Sequence, residues 1–302
     1  MRFFMILIIV LLMSLNATRI QAADNERIAR PNAPFAVKVT GKGKPMILIP
    51  GLACSGAVWD SAVDHYKDHY ECHVLTLAGF AGQPPLKNKG SYLETIRKGI
   101  ADYIKEKKLD KPVIVGHSLG GYLVFSLAAS DPDLVGPVIA VDGFACIMAA
   151  LGEKTDEESL KKLAEQQEKQ LANMPHDQFL KSQKNLFAGW FTDKDQLERV
   201  HSWIADSDQA TVARARGELM GGDARSGLAK TKTPVLLIGA YSKDLEKFGV
   251  KRQDYDKRCA EQIANAPRHK LVVTTEAKHF IMVDQPKWLW QQMDEFLKDS
   301  AK

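Results

Sequence analysis

The chain has 302 residues, of which 45% are apolar and 26% charged, the proportions of an ordinary globular protein rather than a fibrous or disordered one. That length suits one large domain, or a domain carrying an insertion, which buries about three quarters of its unfolded surface. The formal net charge is +4 and no block of Lys or Arg stands out, so composition gives no argument for nucleic acid or an anionic lipid surface as a partner.

Residues 1–22 differ from the rest. Arg2 precedes an apolar stretch from Phe3 to Leu15, and a polar region follows, ending Ile20-Gln21-Ala22. The apolar stretch is shorter than the roughly 20 residues needed to cross a bilayer, so the pattern predicts a cleaved signal peptide rather than an uncleaved anchor. Ala22 or Ala23 would be the last residue removed, leaving a secreted or periplasmic protein with no stable membrane association. Loss of Arg2 and Arg19 lowers the formal charge from +4 to +2.

After this leader, Phe35 to Thr40 reads as a strand, Gly41-Lys42-Gly43-Lys44 as a hairpin turn, and Met46 to Ile49 as a buried strand running into Pro50-Gly51-Leu52. Val58 to Tyr66 is predicted helical. His73 to Leu77 is a strand ending in the Gly-rich loop Ala78 to Pro85, and Tyr92 to Lys107 is a helix with Ile96, Ile100, Tyr103 and Ile104 on one face. Pro112 to Val115 is a short β-branched strand, Gly121 to Ser130 an amphipathic helix, and Pro137 to Val141 a strand ending at Asp142. From about Phe144 to Ala229 the pattern is helical throughout, including a charged stretch from Glu153 to Gln170 that reads as a solvated face. Strands resume at Pro234 to Ile238 and His269 to Thr275, and a final helix closes the chain. Alternating strands and helices imply a mostly parallel sheet covered on both faces, so the fold class is α/β with a doubly covered sheet. Residues 23–143 and 230–302 would form its core, and 144–229 an inserted helical cap.

The most specific motif is Gly116-His117-Ser118-Leu119-Gly120, set between the strand ending at Val115 and the helix beginning at Gly121. Such a turn is too tight for side chains two residues either side of the serine, and Gly116 and Gly120 remove both. It lifts the Ser118 hydroxyl above the sheet edge and aims the following N–H groups at one point. Far downstream, Ala277-Lys278-His279-Phe280 follows the last strand. Ligands bind outside the carboxyl ends of strands in such sheets, and Leu52, Ser118, Asp142 and His279 all fall just after predicted strands.

In the order and spacing of its strand-Gly loop, its serine elbow and its late His279-to-Pro286 stretch, the chain resembles the α/β-hydrolases, from about Phe35 to the C-terminus. The resemblance implies a nucleophile at Ser118, a base at His279 and an oxyanion hole made by the backbone N–H groups of Leu52 and Leu119. The family often carries His where Pro50 stands, and His117 would line the pocket floor. The acid most often lies three residues after the Gly that ends the strand following the cap. Here Gly239 leads to Ser242, which cannot carry the charge. Asp142 ends the preceding strand, a place some members use, and is the preferred acid. Asp244 is the alternative and would need a rearranged loop. The implied activity is hydrolysis of a carboxylic ester or related acyl bond of a small molecule through an acyl-enzyme. Lactonase, amidase, acyl-transfer, C–C hydrolase and perhydrolase activities use the same residues, and a catalytically silent binding protein is the rival of another class. Acyl length and oligomeric state stay open.

No cofactor or metal is expected. The spacing of His65, His69 and His73 cannot share one helical face, and no carboxylate motif completes it. Four cysteines allow three pairings. In the inferred topology Cys54 and Cys72 lie at opposite sheet edges, Cys54 and Cys146 are the best-placed pair, and free buried thiols are the preferred reading for all four, Cys259 included.

Overall fold

The computed structural model describes residues 33–300 except 89 and 193. The predicted leader, residues 1–22, lies outside the described residues. Seven strands form one sheet: β1 (Phe35–Gly41), β2 (Lys44–Ile49), β3 (Tyr70–Leu77), β4 (Val113–His117), β5 (Val138–Val141), β6 (Val235–Ala240) and β7 (His269–Thr274). Their order is β1-β3-β2-β4-β5-β6-β7, and every neighbouring pair is parallel except β1 with β3. The apolar runs that predicted buried strands behave accordingly. Met46 to Ile49, Val138 to Val141 and Val235 to Ile238 are all fully buried, as strands with helices on both faces must be.

One expectation is corrected. Gly41 to Lys44 does not close a hairpin, because β3 lies between β1 and β2 and pairs with both. The turn instead crosses the start of β3. Gly43 has φ +116°, and a Cβ there would meet His69 O at 2.1 Å, so close backbone approach is the reason for glycine.

On the faces lie α1 (Asp60–Tyr66), α2 (Tyr92–Glu106), α3 (Leu119–Ser130), α9 (Arg252–Ile263), α10 (Ile281–Asp284) and α11 (Pro286–Ser300). The helix predicted from Val58 divides into a 3-10 turn, Gly56–Trp59, and α1. α3 buries Leu119, Leu123, Val124, Phe125, Leu127 and Ala128, and leaves a narrow stripe of Tyr122, Ser126 and Ala129 half-buried.

Between β5 and β6 run α4 (Ile147–Leu151), α5 (Glu157–Ala172), α6 (His176–Ala188), α7 (Lys194–Ala205) and α8 (Gln209–Gly221), with no strand among the described residues. α5 buries only Leu160 and Leu171, which leaves its charged face in solvent. It lies close along α8, where a Cβ at Gly217 or Gly221 would meet α5 atoms at 2.7 Å. This helical insertion is tied to the sheet domain by polar bonds. Glu218 on α8 accepts from the Tyr92 N–H (2.7 Å), the Leu93 N–H (2.8 Å) and the Ser91 hydroxyl (2.8 Å), so it satisfies the open N-terminus of α2. The Gly-rich loop after β3 is held too: Asp208 N–H donates to Gly79 O at 2.8 Å, and Gly82 N–H to Asp206 O at 3.0 Å.

Candidate active site

Ser118 sits between β4 and α3 with φ 55° and ψ −115°, a left-handed conformation that a non-glycine residue adopts at a cost of about 1–3 kcal/mol. The surrounding chain enforces it. A Cβ at Gly116 would lie 2.1 Å from Gly120 O, and one at Gly120 would lie 2.4 Å from Ile49 O. Ser118 N–H donates to Val141 O at 3.1 Å, which anchors the elbow to the end of β5. Leu119 is the first residue of α3, so its N–H has no partner within the helix. The loop after β2 approaches from the other side. A Cβ at Gly51 would be 3.2 Å from Ser118 Cβ, and Cys54 N–H closes a turn on Gly51 O at 3.2 Å, with Leu52 inside it.

His279 follows β7. Its Nδ1 lies 2.7 Å from Asp142 Oδ2. Asp142 itself has φ 43°, in the left-handed region where Asp is enriched, and its carboxylate is almost fully buried. Its other oxygen, Oδ1, accepts from the Ala240 N–H at 3.0 Å and from the Tyr255 hydroxyl at 3.2 Å. A hydrogen-bonded carboxylate on Nδ1 fixes the imidazole as the Nδ1–H tautomer, which leaves the Nε2 lone pair available. The structure therefore brings His279 and Asp142 together beyond the carboxyl ends of β7 and β5, across the end of the intervening β6 and beside the serine elbow.

The alternative acid, Asp244, is elsewhere. It pairs with Lys247 at 2.7 Å and with Lys278 at 3.5 Å, and its side chain is half exposed. The Lys247 ammonium holds its carboxyl below the usual range.

His117 is fully buried under the site. Its Nε2–H donates to His279 O at 3.0 Å and its ring lies 4.6 Å from the His279 ring, so it props the histidine loop against the elbow. Burial, then the neighbouring His279, push its pKa well below the ordinary value, so it stays neutral. The helical insertion supplies the opposite wall. Trp190, just after α6, packs 4.6 Å from the His279 ring, and Phe191 stacks on Phe280 at 4.0 Å. Asp284 joins the two: it accepts the Lys278 N–H at 2.8 Å and the Thr192 N–H at 3.2 Å. Trp190 and Tyr255 escaped the sequence reading. Neither belongs to a motif, and each reaches the site only through the packing of its segment.

Elsewhere, the four cysteines are free and buried, Cys54 and Cys146 included. His65 pairs with Asp294 (2.9 Å), and His73 with Tyr103 (2.8 Å) and Glu71 (3.1 Å). Among the described residues no group of three or more His, Cys, Asp or Glu side chains is placed to hold a metal, and no helix is long and apolar enough to cross a membrane. A groove of about 610 Å³ between α2, α3, α5 and α8 is lined by Glu94, Tyr122, Lys161 and Glu218, and by none of Ser118, Asp142 or His279.

Comparison with known proteins agrees with this architecture. The chain is 31% identical over 115 residues to a pimeloyl-[acyl-carrier protein] methyl ester esterase of Aeromonas salmonicida, a match covering 38% of this chain and 43% of that protein. The chain thus spans under half the length of that curated relative. Among solved structures it is similar to a thermophilic esterase from Thermogutta terrifontis, with a TM-score of 0.69 at 19% identity over 89% of this chain and 94% of the other. It is likewise similar to a hydrolase from Pseudomonas aeruginosa, with a TM-score of 0.71 at 15% identity over 87% and 94% of the two chains. At such identities these likenesses speak for the fold alone. The sequence profile of the alpha/beta hydrolase family matches residues 46–292, so the chain belongs to that family.

Proposed function

We propose that this protein is an exported serine hydrolase that cleaves a carboxylic ester, or a closely related acyl bond, of a small molecule. The observation that carries the reading is the 2.7 Å bond from His279 Nδ1–H to the buried Asp142 carboxylate, alongside a strained serine elbow. The esterase relatives support the ester over other acyl bonds.

The chemistry follows from these groups. His279 Nε2 takes the Ser118 proton as Oγ attacks the acyl carbon, and Asp142 stabilises the imidazolium that forms. The substrate oxygen becomes an anion between the N–H groups of Leu119 and Leu52, each such donor being worth about 100- to 1000-fold in rate. The imidazolium then protonates the leaving alcohol, and the acyl group stays on Ser118. Water, deprotonated by the same Nε2, releases the acid. Because the hole is built from backbone donors, the side chain of Leu52 constrains only shape and access. Trp190 over His279 gives the insertion a direct hand in which substrates fit.

A fluorophosphonate probe tests the assignment: it should label Ser118, and Ser118→Ala should lose both labelling and ester hydrolysis. Equal labelling of the alanine variant would overturn the nucleophile. Export is tested by intact mass of the protein produced with its leader, which should begin at Ala23 or Asp24 in the soluble periplasmic or secreted fraction. A membrane-bound form retaining Phe3 to Leu15 would refute it.

A further inference from the structure

A carboxylate that must hold one imidazole N–H has two oxygens, and whatever engages the second decides where the first points. In Asp142 the second is Oδ1. The Ala240 N–H reaches it at 3.0 Å, and one such donor still lets the carboxylate swing about its Cα–Cβ bond. The Tyr255 hydroxyl, 3.2 Å away, approaches from a different element, the first turn of α9, and fixes the carboxylate plane.

Tyr255 is held for this contact. Its ring is buried and lies 5.5 Å from Tyr241, whose own hydroxyl is tied to Val250 O at 3.0 Å. The phenol's path to Asp142 passes Gly239, where a Cβ would sit 3.0 Å from the Tyr255 oxygen. Any side chain at 239 would crowd the hydroxyl. Burial first, and the Asp142 charge second, hold the phenol's pKa well above its usual value, so it remains a donor; the Cys259 thiol is its other polar neighbour. A hydrogen bond to a buried charged acceptor is among the stronger ones in a protein, and losing it loosens whatever the acceptor orients.

We propose that Tyr255 is a positioning residue of the active site, its hydroxyl turning Asp142 so that Oδ2 faces His279, with Gly239 keeping that approach open. The inference rests on the proposed function, in which Ser118, His279 and Asp142 act as a catalytic triad.

The test uses the full chain, p-nitrophenyl butyrate as substrate, and the rate at which a fluorophosphonate labels Ser118. Tyr255→Phe deletes only the hydroxyl. It should lower kcat and the labelling rate about tenfold, the size of one charge-assisted hydrogen bond, with KM changed by less than about twofold. The far-downfield proton resonance of the His279–Asp142 bond should move or broaden, which loss of packing alone would not cause. Gly239→Ala keeps the hydroxyl but displaces it, so it should give the same loss, and the double variant should be no worse than either single one. If Tyr255→Phe proves unstable, Gly239→Ala carries the same criteria. Wild-type rates and an unmoved resonance in the variants, beside an Asp142→Asn variant that is disabled, would overturn the proposal and leave the triad standing. If Asp142→Asn also turns over normally, the triad reading itself falls.

Discussion

Asp142→Asn is the sharpest test of the catalytic reading, because the structure dictates how the new amide must sit. Oδ1 is engaged by two donors, the Ala240 N–H at 3.0 Å and the Tyr255 hydroxyl at 3.2 Å. The Asn carbonyl oxygen must take that place, since an NH2 group there would face two donors. The NH2 is then forced toward His279 Nδ1, which is 2.7 Å from Oδ2 in the native protein. A donor facing Nδ1 makes that nitrogen the acceptor and moves the ring proton to Nε2. That tautomer cannot accept the Ser118 proton. The cost in kcat is about 10⁴-fold, or about 5 kcal/mol of transition-state stabilisation. The fold should survive, because Asn is isosteric and every backbone bond of Asp142, including its N–H to Ile238 O, is retained. Initial rates on p-nitrophenyl esters and a thermal melt, run beside Asp244→Asn, decide the matter. Asp244→Asn should keep near-native turnover, since its side chain only pairs with lysines. If instead Asp142→Asn keeps turnover within about tenfold of the native enzyme, the tautomer argument is wrong.

Three further outcomes are expected. Glu218→Ala should destabilise the protein by about 1–3 kcal/mol in urea unfolding, because two amides at the start of α2 lose a charged acceptor; an unchanged midpoint would mean that water replaces it without cost. The native protein should resist iodoacetamide while the unfolded chain takes up four equivalents, since burial raises Cys54 and Cys259 to about 12 and Cys72 to about 11; rapid native alkylation of Cys54 would refute this. Stability should fall as pH drops below about 6.5, the ordinary histidine value, because burial depresses His117 and His73 and only the unfolded chain takes up their protons there. The slope is at most about 1.4 kcal/mol per pH unit for each histidine, and His117→Gln should reduce it; an unreduced slope would assign the proton uptake to other groups.

Much of the sheet was legible because its strands are short, β-branched and flanked by Gly or Pro, so Val113 to Val115 and Val235 to Ile238 announce themselves. Pairing was less so. Phe35 to Gly41 and Lys44 to Ile49 look like two arms of a hairpin, since two strands around Gly-x-Gly are the usual local signal. What overrides it is the backbone of 67–70, which fills the space beside that turn and lets β3 enter between the arms. On α3 the half-buried Tyr122 and Ser126 line the groove beside α5 and α8 rather than open solvent, and no local pattern carries that information.

The proposed acid, Asp142, shows how a spacing rule can miss what three-dimensional adjacency offers. β5 and β6 are parallel neighbours, with Val141 opposite Ile238, so the residues just beyond each strand end converge on one point. An acid supplied from either loop can meet a histidine that arrives after β7, the next strand over. Counting three residues from Gly239 samples only one of the two loops. Here the end of β6 carries the other half of the arrangement: the Ala240 N–H donates to Asp142 and Gly239 leaves room for Tyr255, while Asp244 in the following loop turns out to Lys247 and Lys278. On the proposed reading, the end of β6 supports an acid held beyond the neighbouring strand. The residues that reveal this, Gly239 and Tyr255, are 16 positions apart on a strand and a helix, which is why no linear motif contains them.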